Sequence, residues 1–322
     1  LEESHKPEYE SICSFGGLLL HDDLYAIFKL NDMCNRAGID TISCGGVVAF
    51  AIECFGNGVI TEKDTGGLKL AWGDSESIIK LTEMIIHRKG IGDVLADGVK
   101  IAAEKIGKGA HNYAVHCGGI EAPMHDPKLD PGYVISYYCD PSPGRHTISS
   151  LTFLELWNLE KTFSRAVPLG QFSTNKEKYS PYNKAEAVAA GTFFKMLVDA
   201  CGLCLFGTQA GGSMPICDWI NAACGWDLTP DEYLVIGERI EQIRHAFNVR
   251  EGINEKRDFR PHPRVWGGEP LNRGPFKGLT LDIDTMARSF YRVLNWDWDT
   301  GIPKKEHMAR LGLQDVSAGL GK

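Results

Sequence analysis

Two stretches of this 322-residue chain repeat one pattern, and each reads as the same kind of helix ending. Asn35-Arg-Ala-Gly38-Ile39-Asp40-Thr and Asp199-Ala-Cys-Gly202-Leu203-Cys204-Leu each place a polar residue, two spacers, glycine, an aliphatic, then a carboxylate or a thiol. Glycine suits the left-handed residue after a helix, and the following aliphatic supplies the usual hydrophobic contact. Either copy alone reads as an ordinary helix ending. Two copies with Asp40 and Cys204 at the same offset add side chains that can hold a bound group.

Helical periodicity dominates around them. Apolar residues at three-and-four spacing predict helices over Leu20–Ala37, Val47–Phe55, Glu76–Arg88 (with Ser75 as cap), Ile91–Ile106, Ala185–Ala200, Pro230–Ala246 and Asp282–Leu294. Between Cys117 and Arg145 the prolines at 123, 127, 131, 141 and 143 exclude a long helix. That segment reads as a loop-rich wall of a site, and Asn248 to Lys277 as a second irregular stretch. The expected fold is mainly α, in two pseudo-symmetric helical domains, 1–116 with the first motif and 117–322 with the second.

Composition narrows the function. A formal net charge of −8 argues against nucleic acid. No apolar run is long enough to span a bilayer, and no signal peptide is visible. Ten cysteines without a dense disulfide framework fit a reducing, cytoplasmic and anaerobic setting, most of them as small core residues. Cys201-x-x-Cys204 with Cys217 and Cys224 is a candidate zinc set, but the second pair is too widely spaced for the usual site. No βαβ pattern surrounds the CxxC, and there is no HExxH.

The paired motifs resemble those of the aldehyde ferredoxin oxidoreductase family, whose two copies grip the two pterins of a tungsten (or molybdenum) cofactor. The resemblance implies a bis-pyranopterin bound through Asn35, Gly38, Ile39 and Asp40 in one motif and Asp199, Gly202 and Leu203 in the other. Cys204 is then a ligand of a [4Fe-4S] cluster. A pterin presents adjacent N–H donors that a carboxylate accepts in parallel hydrogen bonds. Asn35 departs from the family's aspartate, so charge in the first motif rests on Asp40. No CxxCxxxC run for the other three cluster thiolates is found, and the chain opens on leucine; both imply an N-terminal, β-rich domain missing from it.

Further stretches extend the resemblance. Glu10, in Pro7-Glu-Tyr-Glu-Ser, matches a carboxylate beside the metal, able to exchange protons if buried in a dry pocket. His146, in Cys139-Asp-Pro-Ser-Pro-Gly-Arg-His, matches a histidine presented to substrate. Pro123 to Pro127, with His125 and Asp126, reads as structural support for the pocket. Asn248-Val-Arg250-Glu251-Gly252 and the segment from Asn295 to Leu313 complete the match. Cys13, three residues after Glu10, departs from aldehyde-oxidising members and resembles the tungsten-ligating cysteine of the class II benzoyl-CoA reductases, since soft thiolates suit such a metal.

The resemblance implies interconversion of an aldehyde and a carboxylic acid, with electrons passed to ferredoxin or an iron–sulfur subunit in an oligomer. Its rival is reductive dearomatisation of an aromatic CoA thioester, with Cys13 on tungsten. A helical scaffold without cofactor is the non-enzymatic alternative.

Overall fold

The computed structural model describes residues 3–166, 176–182, 184–209 and 215–320; Leu1 lies outside them. Its contacts divide the chain into two compact units, Leu1–His125 and Asp126–Lys322. Both are mainly helical. Among the described residues no single helix is long and apolar enough to cross a membrane.

The first unit is built around α3 (Thr41–Gly56), which follows α1 (Tyr9–Ile12), a π-helical turn (Cys13–Gly17) and α2 (Leu24–Ala37). Val47, Val48, Phe50, Ala51, Ile52 and Cys54 bury α3 on nearly every side, as an apolar helix requires. α4 (Ser75–Ile86), α5 (Ile91–Leu95) and α6 (Val99–Ile106) add Ile78, Leu81, Leu95 and Ala102 to the same core. A two-residue hairpin, β1 (His116–Cys117) with β2 (Ile120–Glu121), closes the unit.

Sequence and structure differ here in two instructive places. The continuous helix expected over Ile91–Ile106 is broken after Leu95, because Gly98 at φ 88° turns the chain before α6 starts. α4 is capped by Asp74, whose side chain accepts from Ser77 N at 3.0 Å, rather than by Ser75. The Ser75 hydroxyl is taken by the buried His21, at 2.8 Å from Nε2.

The second unit runs through α7 (Gly132–Cys139), α8 (Leu151–Trp157), α9 (Ala185–Ala200), α10 (Leu205–Gln209), α11 (Ile216–Cys224), α12 (Pro230–Arg250), α13 (Glu255–Asp258), α14 (Pro263–Trp266), α15 (Ile283–Val293), α16 (Lys305–Arg310) and α17 (Gln314–Ala318), with short 3₁₀ turns between some of them. α9, buried from Ala187 to Val198, is the central helix of this unit. α12 opens with a complete capping box between Thr229 and Glu232 and crosses α9 at Gly237. A Cβ at Gly237 would meet Phe193 O at 2.0 Å, so the two backbones touch only because that residue has no side chain.

The segment before Arg145, expected to be loop-rich and without a long helix, contains the short α7, eight buried residues long. The prolines flank it: Pro131 stands at its N-terminus, where the missing N–H costs nothing, and Pro141 follows its end. α12 likewise continues to Arg250, beyond the expected Ala246, and the irregular stretch after it holds α13 and α14.

Candidate functional site

The two repeated motifs share one backbone geometry. Gly38 adopts φ 68° and Gly202 φ 66°. In the first, Gly38 N donates to Asn35 O at 3.3 Å and Ile39 N to Cys34 O at 2.9 Å. In the second, Gly202 N donates to Asp199 O and Leu203 N to Val198 O, both at 3.0 Å. The next residue starts a new helix in each case. Asp40 caps α3, its Oδ1 accepting Ser43 N at 2.7 Å and its carbonyl accepting Cys44 N at 3.0 Å. The Cys204 carbonyl accepts Thr208 N at 3.3 Å in the first turn of α10. Helix end, left-handed glycine, aliphatic and helix start thus project the Asp40 carboxylate and the Cys204 thiol in equivalent ways from different units.

These side chains are accessible. Asn35, Gly38, Asp40, Asp199, Gly202 and Cys204 are exposed, while Ile39 and Leu203 are half-buried. Asp199 forms an ion pair with Lys195, one turn back on α9 and itself almost wholly buried. All ten cysteines are free; Cys13, Cys201, Cys204 and Cys224 are the exposed ones.

Glu10 is 4% exposed, on the short α1 of the first unit. Its Oε2 accepts the Met124 N–H at 3.0 Å. Its Oε1 lies 3.1 Å from His125 Nε2, an ion-pair distance off the line of a well-formed hydrogen bond. The same nitrogen is 2.9 Å from the Tyr9 hydroxyl, and the two rings meet edge-on at 5.7 Å. Burial, reinforced by the charge of Glu10, pushes the Tyr9 phenol up to about 12, so Tyr9 keeps its proton near neutral pH. One imidazole nitrogen therefore stands between a carboxylate and a phenol. With a proton it donates to an oxygen; without one it accepts from the phenol.

The segment carrying Glu10 is fastened to the start of α3. Ser11 Oγ meets Thr41 Oγ1 at 2.7 Å, and Ser14 Oγ donates to the carbonyls of Thr41 and Ile42 at 3.2 and 3.1 Å. A Cβ at Gly45 would meet Ser14 Oγ at 1.9 Å, so this glycine lets the π-helical turn lie directly on α3. Glu10, the exposed Cys13 and the first motif's Asp40 are thus organised around one helix N-terminus. His146 lies in the second unit, half-buried in the turn that follows α7.

Residues 1–313 match the sequence model described as aldehyde ferredoxin oxidoreductase, domains 2 and 3. The chain belongs to the aldehyde ferredoxin oxidoreductase family. It is 32% identical over 314 residues to the tungsten-containing aldehyde ferredoxin oxidoreductase of Pyrococcus furiosus, covering 97% of this chain and 49% of that protein. It is 29% identical over 328 residues to the aliphatic sulfonate oxidoreductase, WOR-like subunit, of the same organism, covering 97% and 46%. The chain therefore spans about half the length of the curated relatives it matches. Among solved structures, the active-site complex BamBC of benzoyl coenzyme A reductase with 1,5-dienoyl-CoA aligns with a TM-score of 0.67 over 96% of this chain and 49% of that one. At 24% identity this likeness shows the fold.

Two groups in this family member escape a reading of local sequence. His125 reads from its Pro-x-His-Asp-Pro setting as support for the pocket, yet it directly faces Glu10, and Tyr9 completes the contact. The adjacency of Tyr9 to Glu10 was the available signal. Glu121 is the second. It is buried, accepts Val99 N at 2.7 Å, and has its carboxyl pushed up chiefly by burial, with a smaller contribution from the charge of Asp40.

Proposed function

We propose that this chain is the part of a tungsten–bispterin oxidoreductase that carries both pterin motifs, acting between an aldehyde and a carboxylic acid. The observation that supports the reading best is the repeated helix ending, with its left-handed glycine and its exposed Asp40 or Cys204. The donor set fits the group. Asp40 and Asp199 offer exposed carboxylates to the amino-pyrimidine edges, Asp199 sharing its charge with Lys195. Cys204, free and exposed, offers a soft thiolate to a [4Fe-4S] cluster. Molybdenum suits the same donors.

A metal–pterin group held by these residues would supply the two-electron chemistry, and a cluster on Cys204 an exit for the electrons. The chain's own residues manage protons and orientation. Oxidation of an aldehyde with water releases two protons, and Glu10 is the carboxylate that can accept one at Oε1 while Met124 N–H holds Oε2. His125 Nε2 receives that proton from Glu10, with the Tyr9 hydroxyl on its other side. His146, on its turn in the second unit, would donate to the substrate carbonyl oxygen. The electron partner is ferredoxin or an iron–sulfur subunit, in an oligomer within an anaerobic cytoplasm.

One observation favours a second reading. Cys13 is exposed and free, on the turn that continues from Glu10. A thiolate there would serve as a tungsten ligand, and the reaction would be reductive dearomatisation of an aromatic CoA thioester. The deciding experiment is anaerobic purification of the intact protein, metal analysis, and assay with aldehydes and with benzoyl-CoA. Tungsten or molybdenum with iron, and aldehyde turnover depressed by Glu10→Gln, support the first reading. Loss of tungsten in Cys13→Ser together with benzoyl-CoA turnover supports the second. Zinc alone, or no metal, refutes both and leaves a helical scaffold.

A further inference from the structure

The turn that ends in His146 does not hang freely from α7; the last two turns of α12 grip its first three residues. Arg244 holds Asp140 with both arms, Nη2 to Oδ1 at 2.8 Å and Nη1 to Oδ2 at 3.1 Å. The same guanidinium reaches Ser142 Oγ at 3.3 Å and Glu241 Oε2 at 2.5 Å. One helical turn further on, Asn248 Nδ2 donates to the Pro141 carbonyl at 2.9 Å. Ser142 N returns to Asp140 Oδ1 at 2.7 Å. A two-point guanidinium–carboxylate contact fixes distance and plane together. Pro141 and Pro143 fix their own φ angles, so a hold on residues 140–142 is transmitted towards Gly144, Arg145 and His146.

The surrounding groups leave Arg244 to this task. Asp140 is 2% exposed, and Glu241, His245 and Glu255 are fully buried. His245 Nε2 faces the Gly301 carbonyl at 2.6 Å and must donate to it. Its Nδ1 lies 2.9 Å from Glu255 Oε1, so these two side chains are engaged with each other. Tyr291 Oη donates to Glu255 Oε2 at 3.2 Å, and Asn248 Nδ2 is 3.4 Å from Oε1, which ties the second anchor to the same buried pair. Among these groups Asp140 is the carboxylate that Arg244 grips at two points, with Glu241 Oε2 as a further acceptor.

The structure assigns Arg244 and Asn248 a positioning role: from α12 they hold the Asp140–Ser142 segment and through it set where His146 is presented to a substrate. The assignment rests on the proposed reading of His146 as a substrate-facing imidazole. It also gives a task to the family-like stretch that begins at Asn248, to which sequence alone attached none.

The test uses the holoenzyme with Arg244→Ala and Asn248→Ala, following amide exchange in peptides covering residues 140–148 together with kcat and KM. Loss of one such hydrogen bond should raise exchange there about tenfold, while α9 exchanges as before. kcat should fall with it, and methylguanidine should restore both properties to Arg244→Ala, because the cavity left behind has the shape of the missing group. If Arg244→Ala does not fold, Asn248→Ala, which removes no charge, decides alone. Unchanged exchange in residues 140–148 overturns the positioning role. Raised exchange combined with full activity in His146→Asn overturns instead the reading of His146 on which it rests.

Discussion

Replacing Gly237 by alanine tests the packing that organises the second unit. The added Cβ would stand 2.0 Å from Phe193 O, 2.7 Å from its carbonyl carbon and 3.1 Å from its Cα. All three are backbone atoms of α9, so no side-chain rotation relieves the overlap. α9 and α12 must instead part until the shortest of these reaches ordinary contact, along helices of 16 and 21 residues. Overpacking of this kind costs about 1–3 kcal/mol, occasionally more, and alanine's better helix propensity returns about 1. Separation along two long helices places the net cost at the upper end, about 2 kcal/mol. For a unit of this size that corresponds to a fall in Tm of roughly 4–8 °C. Calorimetry of the purified protein reads it directly. Gly56→Ala is the control: it ends α3, meets nothing within 4 Å, and should be neutral or slightly stabilising. A Gly237→Ala protein that melts with or above wild type would refute the backbone contact between α9 and α12.

Other perturbations follow from single contacts. Burial, with the nearby charge of Asp140, pushes Glu241 up to about 8, so between about 4.5 and about 8 the unfolded chain releases a proton that the folded chain keeps, and stability falls as pH rises through that window. Glu241→Gln should flatten that slope, worth roughly 1 kcal/mol per pH unit, in denaturant titrations between pH 5 and pH 9; an unaltered slope excludes Glu241 as its source. Asp130→Ala strips the acceptor from Gly132 N (2.9 Å), Leu151 N (3.1 Å) and Thr152 N (2.9 Å), and should cost about 3 kcal/mol by urea unfolding. Gly45→Ala drives a methyl into Ser14 and should destabilise the first unit by about 1–3 kcal/mol, read as a lower Tm.

What was legible in the sequence was local. α9 runs over the expected Ala185–Ala200, and α2 stops at Gly38, because a 3.6-residue apolar repeat and a left-handed glycine are decided within one or two turns of chain. α7 was hidden because prolines were counted rather than placed. Five of them in 29 residues argue against helix only if one falls inside it, and Pro131 and Pro141 stand on either side of Gly132–Cys139. The contact of His125 with Tyr9 and Glu10 was hidden for a different reason. Tyr9 and His125 are 116 positions apart, and Arg244 and Asp140 are 104 apart; no local pattern announces pairs that only the fold brings together.

The repeated motif shows why a structural and a functional reading of the same residues need not compete. A helix stop was the plain interpretation of Asn35–Asp40 and of Asp199–Cys204, and the left-handed glycines with their matched hydrogen bonds are that stop. The same geometry turns the chain within two residues and sets the next one at the start of a following helix. A side chain there stands at the positive end of a helix dipole and cannot fold back into the preceding core. A carboxylate or thiol in that position is oriented by the backbone and left accessible. The helix ending is therefore the device that would present a ligand, and replacing Gly38 or Gly202 should weaken cofactor retention through backbone strain at φ near +67° rather than through any lost contact. Neither glycine has a neighbour within 4 Å of an added Cβ, so a Gly38→Ala or Gly202→Ala protein that holds its metal as tightly as wild type would separate the helix ending from the function proposed for it.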